Sequence, residues 1–270
     1  MLSFPAQAAV FFVNSTVDVM DASPGNGICE TGPGNGICTL RAAIMEANAL
    51  AGADQILLPS LPSPNTYVLT IIDELTIGGS SLTITGFGAS TTIIDGNKVM
   101  RPNSGVLTIN SGLTVNISGV TIRNGARNSG GDGISNFGVL TLTDSVVSAN
   151  SVNSGVSFGG GGIFNPGTLV LTNSFVSANN SNTFGGGIDN FGEMTLVNST
   201  VSGNNALHGG GIVNDGKLSL VNSTVSGNNA GIDGGGINNG GIAAMFNGTI
   251  TNNRADADLN LTGIGGRDLQ

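Results

Sequence analysis

Residues Leu196–Ala206 read LVNSTVSGNNA, and residues Leu220–Ala230 repeat them unchanged 24 positions later. Each copy follows a glycine-rich corner, GGGIDN before the first and GGGIVN before the second. With the Ile of that corner set to zero, five columns emerge along the chain. Ile134, Ile163, Ile188, Ile212 and Ile237 occupy the zero column, in steps of 29, 25, 24 and 25 residues. Asn136, Asn165, Asn190, Asn214 and Asn239 stand two positions on; Leu142, Leu171, Leu196, Leu220 and Met245 stand eight on. Val147, Val176, Val201, Val225 and Ile250 follow at thirteen, and Asn150, Asn179, Asn204, Asn228 and Asn253 at sixteen.

A fixed period in this range signals stacked repeats. Within each repeat apolar residues alternate, as in Leu140-Thr-Leu142 and Leu169-Val-Leu171, which is the period of a strand. Leucine-rich repeats share the length but need a denser Leu pattern. The columns therefore predict an all-β fold, a right-handed single-stranded parallel β-helix (solenoid) in which each coil holds about three short strands, paired with its neighbours at about 4.8 Å. The aliphatic columns point inward. The two Asn columns mark corners, where amides hydrogen-bond up and down the stack, because an inward amide left unpaired costs about 1–3 kcal/mol.

Weaker copies at Leu113–Val115, Leu82–Ile84 and Tyr67–Leu69 extend the coils backwards, so they are read as residues 67–270. Residues 9–66 form an N-terminal cap. Within it Leu40, Ile44, Ala47 and Leu50 recur at helical spacing behind Thr39, an N-cap residue type, and predict an amphipathic helix that plugs the open end. The two cysteines lie in a small duplication, PGNGIC at Pro24–Cys29 and again at Pro33–Cys38. Their spacing across Gly-rich turns predicts a Cys29–Cys38 disulfide and an oxidising compartment; the alternative is two free thiols. Residues 1–8, ending in Ala6-Gln7-Ala8, read as the stub of an export signal.

Composition narrows the function classes. Glycine contributes 45 of 270 residues, more than double the ordinary share, yet the apolar register argues for ordered β-structure over disorder. With a net charge of −9 and eight scattered Lys and Arg, the chain lacks the basic stripe that nucleic acid requires. No apolar run is long enough to span a bilayer.

The run FVNSTVDVMDASPGNGIC followed by CTLRAAIMEANALAGADQILLP, about residues 9–60, is similar to the N-terminal CSLREA motif of bacterial exported β-helix proteins. The GGGI-x-N coils resemble their glycine-rich repeats and, more distantly, those of chlamydial polymorphic membrane proteins. The resemblance implies a secreted or surface-held protein of pectin-lyase-like fold. Thr39 replaces the motif's Ser and Ala42 its Glu, so any role of that acid is absent, and no catalytic residue is carried over.

The candidates for chemistry are Asp189, Asp215, Asp233 and His208, because glycosidases pair carboxylates and lyases need a base. In repeat coordinates the three acids fall in different columns, and only Asp233 stacks over His208. Glu193 and Lys217 share a column and predict a surface ion pair. Asp18 and Asp21 read as solvated loop acids, with a calcium contact as the alternative. No metal ligands, cofactor or catalytic residues are assigned. The expected function is a secreted or cell-surface structural or adhesive module that meets an extracellular partner, either a polysaccharide or further copies through its C-terminal coil. Two alternatives remain: a polysaccharide lyase or hydrolase, and an ice- or crystal-binding surface built on Thr200/Ser202, Thr224/Ser226 and Thr249/Thr251.

Overall fold

In the computed structural model, residues 8–60, 65–127, 130–151 and 159–255 are described. The export-signal reading of residues 1–8 therefore lies almost wholly outside them, as do residues 256–270 of the coils. The chain winds into a parallel β-solenoid of three long sheets and one short helix. Each complete coil visits the sheets in turn. One such coil runs Ile188–Asn190, Glu193–Val197 and Thr200–Ser202, and the next runs Ile212–Asn214, Lys217–Val221 and Thr224–Ser226. The first positions build a seven-stranded sheet (sheet 1), the second a nine-stranded sheet (sheet 2) and the third an eight-stranded sheet (sheet 3).

Register follows the sequence columns. Ile163 pairs with Ile188 and Ile188 with Ile212; Leu171 pairs with Leu196; Val176 pairs with Val201. All are fully buried, and together they form one continuous axial core. Each such side chain contributes about 1.5–3 kcal/mol, so stability accumulates along the stack. Corners between sheets 2 and 3 place Asp144, Asn173, Asn198, Asn222 and Asn247 in the left-handed region with φ between 49° and 52°. Asn and Asp tolerate that conformation better than other L-residues.

The corner before each second Asn column is also left-handed, and there the column reads Ala149, Ala178, Gly203, Gly227 and Asn252. A Cβ on Gly203 or Gly227 meets nothing within 4 Å, so the strain at the two alanines comes from the backbone alone. Left-handed Ala costs about 1–2 kcal/mol, while Gly adds about 0.4–1 kcal/mol of unfolded-state entropy. Ala149→Gly and Ala178→Gly should each stabilise the protein by about 0.5–1 kcal/mol, measured as a raised urea midpoint at unchanged slope. A lowered midpoint would contradict this reading of the corner.

The sequence columns start the coils at residue 67, but sheet 2 begins two rungs earlier. Val10–Phe12 pairs with Asp54–Leu57, which pairs with Leu82–Thr85. The segment read as a cap thus supplies the first two rungs, whose residues carry none of the repeat's Gly or Asn columns. The helix, Leu40–Ala49, packs its Leu40, Ala43, Ile44 and Ala47 into the core where the other two sheets have not yet begun. Leu50 is its C-cap and donates its N–H to Glu46 O.

Candidate functional site

Both Asn columns are hydrogen-bonded ladders. Asn136 Nδ2 donates to Asn165 Oδ1 at 2.7 Å, and Asn165–Asn190, Asn190–Asn214 and Asn214–Asn239 repeat the contact at 2.6 Å. In the second ladder Asn150, Asn179, Asn204, Asn228 and Asn253 are linked at 2.9–3.0 Å, and each Oδ1 from Asn179 on also accepts the backbone N–H of the preceding Asn. The last glycine of each GGG corner makes room for this ladder: a Cβ on Gly187 would stand 3.0 Å from Asn204 Nδ2, and one on Gly211 2.9 Å from Asn228 Nδ2. The Gly and Asn columns are one device.

A third ladder was overlooked in the sequence. Backbone N–H groups of Ser145, Ser174 and Ser199 donate to the hydroxyls of Ser174, Ser199 and Ser223, and each hydroxyl donates to the carbonyl two residues earlier. Its signal, Ser at position eleven of four coils, was present but unread.

The CTLR segment also has structural tasks. Cys38 is joined to Cys29. Thr39 Oγ1 accepts from Ala42 N–H and donates to Val19 O. Arg41 is buried, with Nε 2.6 Å from Asp18 Oδ1 and Nη2 donating to the carbonyl of Asp73. Burial works to raise the Asp18 pKa, but hydrogen bonds from Arg41 and the N–H groups of Ile71 and Thr70 outweigh it and hold the carboxyl below its usual range. Glu46, also buried, accepts the N–H groups of Gly25 and Gly27. Asp21 is buried and accepts from Ser23 and Glu30 N–H. Neither Asp18 nor Asp21 is therefore the solvated loop acid expected: Arg41 and the backbone of Thr70 and Ile71, from the first coil, enclose Asp18, and the cap's own Ser23 and Glu30 N–H groups bind Asp21.

The acids weighed for catalysis fall in two places: His208 and Asp233 on a separate two-stranded sheet, Asn205–His208 with Asn229–Asp233, and Asp189 on a strand of sheet 1. His208 Nδ1 lies 2.9 Å from Asp233 Oδ1, which also accepts from Asn238 Nδ2 at 2.7 Å, and the imidazole stacks on Phe184 at 5.2 Å. Asp189 is 1% exposed; its Oδ2 accepts from Gly159 N–H at 3.2 Å and its Oδ1 has no partner. Burial, with the charge of Asp215 adding to it, pushes its pKa up to about 7. Phe164 bridges Phe137 and Phe191 diagonally, at 6.0 and 5.8 Å, giving an aromatic row that the sequence reading missed.

Further polar groups were not foreseen. Arg127 Nη1 contacts Glu74 Oε2 at 3.0 Å and Ser135 Oγ at 3.3 Å, while Thr108 Oγ1 donates to Glu74 Oε1. Asp132, fully buried, accepts Arg127 N–H and has no other side-chain partner among the described residues, and burial raises its pKa to about 9 against the opposing Arg127 N–H bond and the charges of Arg127 and Lys98. On sheet 2 Lys217 Nζ meets Glu193 Oε1 at 2.5 Å in solvent, as the shared column predicts.

Among the described residues, no cluster of three or more His, Cys, Asp or Glu side chains could hold a metal, and no helix is long and apolar enough to cross a membrane. No protein-family model, curated protein or solved structure matches the chain.

Proposed function

We propose that the protein is an exported, surface-held β-helix of the CSLREA type with a pectin-lyase-like, right-handed winding, serving as a structural or adhesive module outside a bacterial cell. One observation carries this reading: the polar side chains that recur coil after coil are consumed by ladders inside the stack. The Asn and Ser ladders face their own neighbours, leaving shallow lateral faces for contact. A disulfide that pins the cap suits an oxidising compartment.

A hydrolytic reading draws on Asp189, Asp215 and the Phe137–Phe164–Phe191 row. It is weaker because Asp189 lies beneath Gly159, where a glycan cannot reach its oxygens. Ice or crystal binding draws on hydroxyls in register, since Thr200 pairs with Thr224 and Thr224 with Thr249. The exposed Phe175 interrupts that column one coil earlier.

The test immobilises the full chain and challenges it with bacterial cells and with pectin, alginate and neutral glycans. Retention without turnover is expected. New reducing ends or unsaturated products would overturn the structural reading in favour of an enzyme.

A further inference from the structure

Sheet 2 is open at both ends among the described residues, and the two ends match. At its first rung, Gln55 N–H donates to Ala9 O at 2.8 Å and Val13 N–H to Leu57 O at 3.0 Å. The alternation of a parallel ladder then points the N–H and C=O groups of Val10 and Phe12 toward the open edge. At its last rung, Ile242 N–H donates to Gly216 O and Asn222 N–H to Phe246 O, both at 2.9 Å, so Ala243 and Met245 face the opposite opening. Side chains alternate in step with this pattern. Phe11 points into the core and Phe12 is 63% exposed; in the last rung Met245 continues the core column from Leu220 and Phe246 is 67% exposed.

Neither edge carries the lysine, proline or bulge that commonly blunts an exposed strand; they read Val-Phe-Phe and Ile-Ala-Ala-Met-Phe. A groove of about 550 Å³ lies between the first strand and the disulfide loop, lined by Val10, Phe12, Ile28 and Cys29 among others. The helix covers the core at this end; the disulfide loop takes up the edge from Asn14 on, where Cys38 O accepts Asn14 N–H at 3.0 Å, and among the described residues Val10–Phe12 stay open on that side.

We propose that a second copy of the chain docks head to tail here, its Ile242–Phe246 strand pairing in parallel with Val10–Phe12. The register that preserves the internal geometry sets Val10 against Ala244, Phe11 against Met245 and Phe12 against Phe246. The core column then runs unbroken from Met245 into Phe11, and the two exposed phenyl rings stack outside. Such a contact joins two different surfaces and does not close on itself, so it grows linear fibres. This deepens the structural reading proposed above and rests on it.

Sedimentation velocity of the full chain over a concentration series tests the contact. Growing linear oligomers are expected. Phe12→Pro removes an N–H that only the incoming strand uses, and Met245→Lys sets a charge in the joined core. Each should weaken association at least about tenfold, the effect of one lost ladder bond with its partner left unpaired. Each variant retains one sound end, so mixing the two should yield one-to-one dimers. Circular dichroism and melting establish that both variants fold. A wild-type chain that stays monomeric, a variant that assembles like wild type, or a mixture without dimers would each overturn the proposal. Adhesion by a wild-type chain that stays monomeric would leave the proposed function standing while the assembly falls.

Discussion

Asn204→Ala should cost about 4–6 kcal/mol, enough to unfold much of a solenoid whose total stability falls in the usual range of about 5–15 kcal/mol. The side chain is fully buried at a corner, and four groups depend on it. Its Oδ1 accepts both Asn179 N–H and Asn179 Nδ2 at 3.0 Å. Its Nδ2 donates to Asn228 Oδ1 at 2.9 Å and Val176 O at 3.0 Å. Removing the amide takes the acceptor from the buried Asn179 N–H, at about 1–3 kcal/mol, and one bond each from Asn179 Nδ2, Asn228 Oδ1 and Val176 O, at about 0.5–1.5 kcal/mol each; Asn179 Nδ2 keeps Val147 O and Asn228 Oδ1 keeps Asn204 N–H. Asn204→Asp keeps the acceptor but replaces the donor with a second oxygen facing a carbonyl, so it should be nearly as damaging at neutral pH. Asn198→Ala, at the exposed left-handed corner before it, should cost only about 1–2 kcal/mol, because water replaces its side-chain partner and the loss is confined to the backbone conformation. Urea unfolding of the three variants checks the ordering; equal midpoints for Asn204→Ala and Asn198→Ala would show that the inner ladder contributes no more than a surface contact.

What the sequence revealed and what it hid have one geometric cause. A repeat read column by column compares a residue only with those directly above and below it. That comparison finds Ile188 under Ile212, Asn190 under Asn214 and Glu193 beside Lys217, because these pairs stack in register. It is blind to diagonals. Phe164 lies one position past its Ile and Phe191 three past, yet their rings touch; Asp189 and Asp215 repeat the same offset. Nor does it find the first rungs. Val10–Phe12 and Asp54–Leu57 join sheet 2 through backbone bonds that require no repeated side chain. The burial of Asp189 was equally unreadable, since its partner comes from another coil: Gly159, whose N–H it accepts, stands 30 residues away. The CTLR segment lay between these cases. Its helix, N-cap and disulfide were legible locally, whereas the ion pair of Arg41 with Asp18 joins residues 23 apart across the cap.

Two buried acids should make the protein more stable in mild acid than in mild alkali. Asp132 and Asp189 keep their protons in the folded state up to about 9 and about 7, where an unfolded chain releases them from its ordinary value near 3.8. Between these limits the folded state binds more protons than the unfolded one, so stability falls as pH rises. The ceiling is about 1.4 kcal/mol per pH unit for each group. Relaxation and water entry around an ionised carboxylate reduce this to a total of about 3–5 kcal/mol between pH 5 and 8. Asp18 acts in the opposite sense. Its lowered pKa supplies stability at neutral pH that is lost as pH drops below the unfolded carboxylate value, when the partner of Arg41 becomes neutral. The two opposing slopes place the optimum at about pH 4–5. Asp132→Asn keeps the oxygen that accepts Arg127 N–H, removes the ionisation, and should recover about 2–3 kcal/mol at pH 8 while changing little at pH 5. Asp189→Asn should act likewise over a narrower window that closes near pH 7. Urea midpoints at pH 5 and pH 8 decide the matter: parallel profiles for the wild type and Asp132→Asn would mean that this carboxyl ionises freely in the folded protein.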